Sequence, residues 1–196
     1  MSRFLALALV AASLSARPGM AQTISTPGGT VVAGWGIGGL QSVGQTFIAP
    51  GPRLADFSFW LTDGGTPPVT FFAYIFAWDE ASFRATGPAL YVSTPQISPP
   101  PMLPTTIRYS YAPDLPVVTG SRYVAFMSAT GGALASVESS VSDSYAGGSY
   151  VYTNLPPMVA AWSTYTGVPP FPPPRDLRFE ANFVGAGVVV PEPSSR

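Results

Sequence analysis

Residues 54–78 decide the fold, and they read LADFSFWLTDGGTPPVTFFAYIFAW. In the first part, Leu54–Thr62, apolar and polar side chains alternate, so that Phe57, Phe59 and Leu61 share one face. Successive side chains of a strand point to opposite faces of a sheet. The alternation therefore predicts a half-buried β-strand.

A second strand follows after a short connection. Val69–Trp78 is apolar on both faces, which is typical of a central strand that is covered on both sides. Asp63–Pro68 contains two glycines and two prolines, which favour a turn. The sequence predicts that the two strands are antiparallel neighbours and that they anchor the core.

The rest of the chain repeats this short period, and no window of helical length shows an apolar stripe. Further strands are predicted at Thr30–Trp35, Gly44–Ala49, Ala89–Ser93, Thr105–Tyr111, Arg122–Ser128, Tyr150–Thr153 and Leu177–Val184. The predicted fold class is all-β, an antiparallel two-sheet sandwich of jelly-roll type, with a β-barrel as the alternative. The side chains expected in its core are Phe57, Phe59, Phe71, Ile75, Phe126 and Phe179.

The N-terminus resembles a secretory signal peptide. Arg3 precedes an apolar run, Phe4–Ala16, that is shorter than the roughly 20 residues needed to span a bilayer. Gly19 and Ala21 place small residues before a cleavage site. We therefore expect residues 1–21 to be a signal peptide, residues 22–185 to be the β-sandwich domain, and the protein to be exported to the periplasm, the cell surface or the medium.

Composition removes many kinds of chemistry. The chain has no Cys, His or Lys, so cysteine nucleophiles, Ser-His-Asp triads, Schiff-base lysines and the usual zinc or haem ligands are excluded. Only 10% of the residues are charged and the formal net charge is −1, which disfavours nucleic acid and anionic membranes as partners. Carboxylate chemistry and oxygen-ligated calcium remain.

One glycine-rich motif has a functional and a structural interpretation. Gly34–Gly39 satisfies the GxGxxG pattern of dinucleotide-binding folds, and it follows a predicted strand. That fingerprint needs a helix to open at the third glycine, whereas Gln41–Phe47 leads into another strand. We expect a compliant loop between strands.

Two groups of residues are candidates for binding. Rigid aromatic side chains among Ser, Gly and Asn suit contact with sugar rings, and such residues are Tyr145, Tyr150, Tyr152, Trp162 and Tyr165. The alternative is that these rings are core residues, since Tyr150 and Tyr152 alternate as in a strand. Asp79 and Glu80 follow the apolar strand and are a candidate calcium pair if backbone carbonyls complete the ligand set; no other cofactor is expected.

Two parts of the sequence resemble exported PEP-CTERM proteins of exopolysaccharide-producing bacteria. The tail, residues 186–196, contains Val190-Pro-Glu-Pro-Ser-Ser195, which is similar to the start of that sorting signal. In the family a transmembrane helix and a basic cluster follow; the sequence ends at Arg196 with neither, so no transmembrane anchor is expected in this chain. The body resembles the domain that often precedes such tails, at Val43–Phe47, Phe57–Leu61, Phe72–Asp79 and Arg84–Tyr91.

The resemblance implies an extracellular β-sandwich without an assigned activity. With the excluded chemistry, it favours a non-catalytic extracellular or cell-surface domain that is associated with an exopolysaccharide matrix. Extracellular polysaccharide and neighbouring surface proteins are the expected partners. The alternatives are a carbohydrate-binding module and a carboxylate-dependent glycosidase, which needs two converging carboxyl groups.

Overall fold

A computed structural model of the chain describes residues 21–63, 65–99, 106–154, 162–164 and 176–185. Within these ranges the chain forms β-strands and no helix. The strands are β1 (Gln22–Thr26), β2 (Thr30–Trp35), β3 (Ser42–Ile48), β4 (Arg53–Asp63), β5 (Thr70–Asp79), β6 (Arg84–Val92), β7 (Gln96–Ile97), β8 (Ile107–Tyr111), β9 (Leu115–Pro116), β10 (Arg122–Gly131), β11 (Ala135–Ser140), β12 (Tyr150–Thr153), β13 (Asp176–Leu177) and β14 (Phe179–Val184).

The strands form two antiparallel sheets. The first sheet has the order β1-β14-β4-β11-β13, with β2 also paired to β11 and with β8 and β9 paired to β4. The second sheet has the order β12-β3-β10-β5-β6, with β7 paired to β5. Neither sheet closes on itself in the described part of the chain, so the predicted two-sheet sandwich is confirmed.

The predicted pairing of the two strands in residues 54–78 is wrong. β4 lies in the first sheet, between β14 and β8, whereas β5 lies in the second sheet, between β10 and β6. The chain therefore crosses from one sheet to the other between Asp63 and Thr70. The physical reason is that both strands carry a row of large apolar side chains, and facing rows are both buried when they meet across the core.

Aromatic rings fill the space between the sheets. Phe47 of the second sheet lies 5.7 Å from Phe179 of the first, measured between ring centroids, and Phe59 lies 5.4 Å from Phe179. All six side chains predicted to be in the core have no exposed surface, so their burial is confirmed. Each such side chain stabilises the fold by about 1.5–3 kcal/mol through removal of apolar surface from water.

The first and last strands of the described domain lie side by side. β1 pairs antiparallel with β14, with Gln22 opposite Phe183 and Thr26 opposite Phe179. The side chains of β14 alternate, because Phe179, Ala181 and Phe183 are buried while the residues between them are partly exposed. This partly exposed outer face of the first sheet carries Glu180, which is discussed below.

The glycine-rich motif begins in the last two residues of β2 and continues as the loop between β2 and β3, with no helix, as expected. The backbone N–H of Leu40 donates to the Gly34 carbonyl at 2.8 Å, and the N–H of Gly36 donates to the Leu40 carbonyl at 3.1 Å. Gly36 has a φ of 142°, and a Cβ at this position would lie 2.6 Å from the Ala133 carbonyl oxygen. Glycine is therefore required here for close packing of two loops.

Candidate functional site

The structure distributes the predicted aromatic residues between core and surface. Tyr150 and Trp162 are only 1% and 3% exposed, whereas Tyr145 and Tyr152 are half-buried. Tyr165 lies outside the described residues. The four described rings therefore do not line up on one exposed platform, and Tyr150 offers no ring face to a ligand.

Tyr145 serves to fasten a loop to β3. Its hydroxyl accepts a hydrogen bond from the Ile48 N–H at 3.1 Å and donates one to the Ile48 carbonyl at 3.3 Å. Burial raises the pKa of this hydroxyl. These contacts explain the position of Tyr145 without a ligand.

The candidate calcium pair occupies the turn between β5 and β6. The Asp79 carboxylate accepts hydrogen bonds from the Ala81 N–H and the Ser82 hydroxyl, and the latter bond is the main reason that the pKa of Asp79 is lowered. Glu80 accepts a hydrogen bond from the Trp78 indole N–H at 2.8 Å and lies 3.7 Å from Arg122. Both carboxylates thus stabilise the turn. The described residues contain no group of three or more His, Cys, Asp or Glu side chains that could hold a metal.

The structure brings this turn together with Trp162, although the sequence placed them in separate candidate sites. The backbone N–H of Trp162 donates to the backbone carbonyl of Phe83 at 2.9 Å. The Trp162 ring contacts Phe126 and Trp78, at centroid distances of 5.0 and 6.1 Å. These rings belong to a second apolar cluster on the outer face of the second sheet, with the members Phe76, Trp78, Ala85, Val124, Phe126, Val151 and Trp162.

A surface depression of about 450 Å³ lies where the turn meets Trp162. Its described lining consists of Phe83, Trp162, Ser163 and Thr164. Phe83 is half-buried, and both hydroxyl-bearing residues are exposed. The depression therefore combines an accessible aromatic ring with side chains that can donate and accept hydrogen bonds.

Phe83 has a strained backbone. Its φ is 50°, a left-handed conformation that costs a bulky residue about 1–2 kcal/mol. The bond from Trp162 and an edge-to-face contact with the Trp78 ring, at 5.1 Å, hold the residue in place. Asp114 is the other non-glycine residue with a positive φ in the described ranges, and it lies in a different loop. Strain that is kept at the rim of a depression is a common feature of binding sites.

A second group of polar side chains lies on the outer face of the first sheet. We define the Trp60 cluster as Trp60, Arg108, Glu138, Arg178 and Glu180. Both arginines form ion pairs with glutamates, and both guanidinium groups lie over the Trp60 ring. Sequence reasoning missed this cluster; the only signal was the alternation of polar residues in β4 and β14.

No protein-family model, curated protein or solved structure matches this chain. Among the residues that the structure describes, no helix has the length and apolar character needed to cross a membrane. What the domain binds is therefore inferred from its own surface.

Proposed function

We propose that this protein is a non-catalytic extracellular or cell-surface domain of an exopolysaccharide matrix, and that it holds polysaccharide through the depression beside Phe83. The observation that carries the proposal is the joint presence, in one concave surface, of an accessible aromatic ring, exposed hydroxyl side chains and a strained, anchored turn.

This lining matches the chemistry of a sugar. The apolar C–H face of a sugar ring packs on an aromatic ring, and its hydroxyl groups exchange hydrogen bonds with serine and threonine. Phe83 supplies the ring, and Ser163 and Thr164 supply the hydroxyls. The depression has a volume of about 450 Å³ and is open to solvent, so a short segment of a glycan can lie across it.

The turn is organised before any ligand arrives. Asp79 caps it through Ala81 and Ser82, and Glu80 fastens it to Trp78. Because these side chains are already ordered, a ligand orders few additional groups on binding. A weak site of this kind still retains a polymer when many copies engage it.

The same geometry favours binding over glycoside hydrolysis. A glycosidase requires one carboxyl group with a raised pKa as general acid and a second carboxylate about 5 to 10 Å away. The hydrogen bond from Ser82 lowers the pKa of Asp79, which is the opposite of what a general acid requires. Export and association with the matrix are supported by the pattern of residues 1–21 and by the tail at Val190–Ser195.

The test is affinity electrophoresis of the full chain through gels that contain dextran, mixed-linkage β-glucan or xylan. Phe83→Gly removes the ring and accepts the left-handed backbone, and it should weaken binding about fivefold. Asp114→Gly is the matched control. Asp114 has the same left-handed backbone conformation as Phe83 but lies in a different loop, so this substitution should leave retardation unchanged.

Two results would contradict the proposal. Retardation that is equal in the wild type, Phe83→Gly and a Ser163→Ala/Thr164→Val variant would remove the depression as the contact site. Release of new reducing ends from any of the three polymers, abolished by Asp79→Asn/Glu80→Gln, would show a catalytic domain instead.

A further inference from the structure

The Trp60 cluster is built from strands on both sides of Trp60. β8 and β14 lie on opposite edges of β4, because Phe57 pairs with Tyr111 on one edge and with Ala181 on the other. Arg108 comes from β8, and Arg178 directly precedes β14. Their guanidinium carbons lie 5.0 and 4.6 Å from the centroid of the half-buried Trp60 ring. A cation at this distance from an indole face is attracted by the ring electrons.

Each guanidinium group is fixed by a neighbouring carboxylate. Arg108 donates to Glu180 at 2.6 Å and to the Ser58 hydroxyl at 3.0 Å. Arg178 donates to Glu138 at 2.5 Å, and Thr106 donates to the other oxygen of Glu138 at 2.5 Å. The two cations are therefore held in position without a ligand.

The cations are more exposed than their partners. The Arg108 and Arg178 side chains are 43% and 33% exposed, whereas those of Glu180 and Glu138 are 26% and 13% exposed. The contacts above use two of the five N–H donors of Arg108 and one of those of Arg178. The surface of the cluster thus presents free guanidinium N–H donors beside the two less exposed carboxylates.

We propose that the Trp60 cluster binds carboxylate-bearing sugar units, that is, the uronate residues of an acidic polysaccharide. The planar guanidinium fork matches a carboxylate with two parallel hydrogen bonds, and the Trp60 ring holds the two forks beside each other. The two guanidinium carbons are within about 10 Å of each other, so one chain segment contacts both.

The paired glutamates determine the kind of anion that fits. Two glutamates balance the two arginines, so the cluster has no long-range excess of positive charge. Attraction is then confined to direct contact, which favours a single carboxylate on a sugar ring over a densely charged polymer such as nucleic acid. This inference adds acidic sugars to the ligands of the protein. It rests on the proposed function only in assuming that the Trp60 cluster and the depression bind the same polysaccharide.

The test uses the indole N–H signal of Trp60 in ¹H–¹⁵N NMR spectra, identified from its loss in Trp60→Phe. Titration with tetragalacturonate should shift this signal, and the uncharged methyl ester of the same tetrasaccharide should not. Arg108→Gln and Arg178→Gln should each weaken binding about tenfold, the usual loss for one hydrogen bond to a charged group. Arg178→Lys keeps the charge but loses the fork, and should also weaken binding.

Arg53→Gln is the matched control, because Arg53 is an exposed arginine on the same strand as Trp60 that pairs with Asp114 and not with an aromatic ring. It should bind tetragalacturonate as the wild type does. Far-ultraviolet circular dichroism of each variant establishes that it is folded. An unshifted Trp60 signal, equal binding of the methyl ester, or an equal loss in Arg53→Gln would overturn the inference and identify the cluster as a solvated sheet face only.

The two proposals fail separately. If tetragalacturonate does not act on Trp60 while neutral glucan still requires Phe83, the uronate site is refuted and the proposed function stands. If Trp60 responds while no neutral polymer requires Phe83, the depression is refuted and the uronate site stands.

Discussion

Replacement of Asp176 should weaken the contact between the two sheets. Asp176 lies on β13 of the first sheet and has no exposed surface. One carboxylate oxygen accepts from the Gln45 amide of the second sheet at 2.9 Å. The other accepts from the Ser144 N–H and hydroxyl, both at 2.9 Å, and from the Tyr145 N–H at 3.1 Å. A buried carboxylate is tolerated only with such a set of donors.

The magnitude follows from these four hydrogen bonds. Asp176→Ala leaves the donors of Gln45, Ser144 and Tyr145 without their acceptor. An unsatisfied buried group such as the Gln45 amide costs about 1–3 kcal/mol, and the exposed Ser144 and half-buried Tyr145 cost less because water can reach them. Part of this is offset because the alanine variant no longer buries a charge. We expect a loss of about 4 kcal/mol in the free energy of unfolding, which is a large share of the roughly 5–15 kcal/mol of an ordinary domain.

Asp176→Asn should also destabilise the domain, although its shape is nearly the same. Gln45 cannot reverse its amide, because its oxygen accepts from the Leu177 N–H at 2.8 Å. The new amide nitrogen must therefore face either the Gln45 amide nitrogen or the donors of Ser144 and Tyr145, and a donor then meets a donor. We expect a loss of about 2 kcal/mol, close to the cost of one unsatisfied buried group.

The assay is urea unfolding followed by tryptophan fluorescence, with hydrogen exchange of the Ser144 and Tyr145 amides as a local measurement. Asp143→Asn is the matched control, since Asp143 is exposed and directly precedes Ser144 in the sequence. The reasoning is refuted if Asp176→Asn unfolds within about 0.5 kcal/mol of the wild type, the range of ordinary surface substitutions, or if the Ser144 and Tyr145 amides exchange no faster in it.

Three further predictions concern the core and two titrating groups. Phe179→Ala should lower the free energy of unfolding by about 3–5 kcal/mol, whereas the partly exposed Val184→Ala should change it little; chemical denaturation measures both. Burial raises the pKa of Tyr111 in the folded protein. The free energy of unfolding should therefore be constant below pH about 10 and fall above it, because the tyrosine ionises more readily in the unfolded chain. Tyr111→Phe should reduce this fall, as measured by melting curves at alkaline pH. The ¹³C titration midpoint of Asp79 should lie below the usual range of an aspartate and should rise in Ser82→Ala. The carboxylate should therefore cap the turn at neutral pH and cease to do so only as pH falls through its lowered pKa.

The strands that could be predicted have large apolar side chains, either alternating with polar ones, as in β4 and β14, or on both faces, as in β5. β2 and β12 begin and end where the sequence places them, and the buried face of β14 is correct. The missed strands are the two-residue β7 and β9 and the longer β1 and β11. β1 and β11 read QTIST and ASVESS and contain few large apolar residues. Their extended conformation depends on partners, since β1 pairs with β14 and β11 pairs with β2 and β4.

The candidate sites depend on pairings that the sequence does not show. Periodicity predicts which face a side chain takes, but two facing sheets and one antiparallel pair produce the same pattern, which is why β4 and β5 were paired wrongly. The Trp60 cluster needs the register of β4 against β8 and β14, and the depression needs Trp162 to reach the Phe83 carbonyl. Neither the strand register nor the contact between Trp162 and Phe83 can be derived from spacing along the chain.

The adjacency of β1 and β14 determines how the domain responds to force. Gln22 and Phe183 lie opposite each other at the same end of an antiparallel pair, so a pull on the two chain ends acts across the strands. The backbone hydrogen bonds of this pair then break one after another rather than together, and the domain peels open from its ends at low force. A load that enters at the depression on the second sheet and leaves by the C-terminal end must instead pass through the aromatic core between the sheets, where many contacts resist it at once.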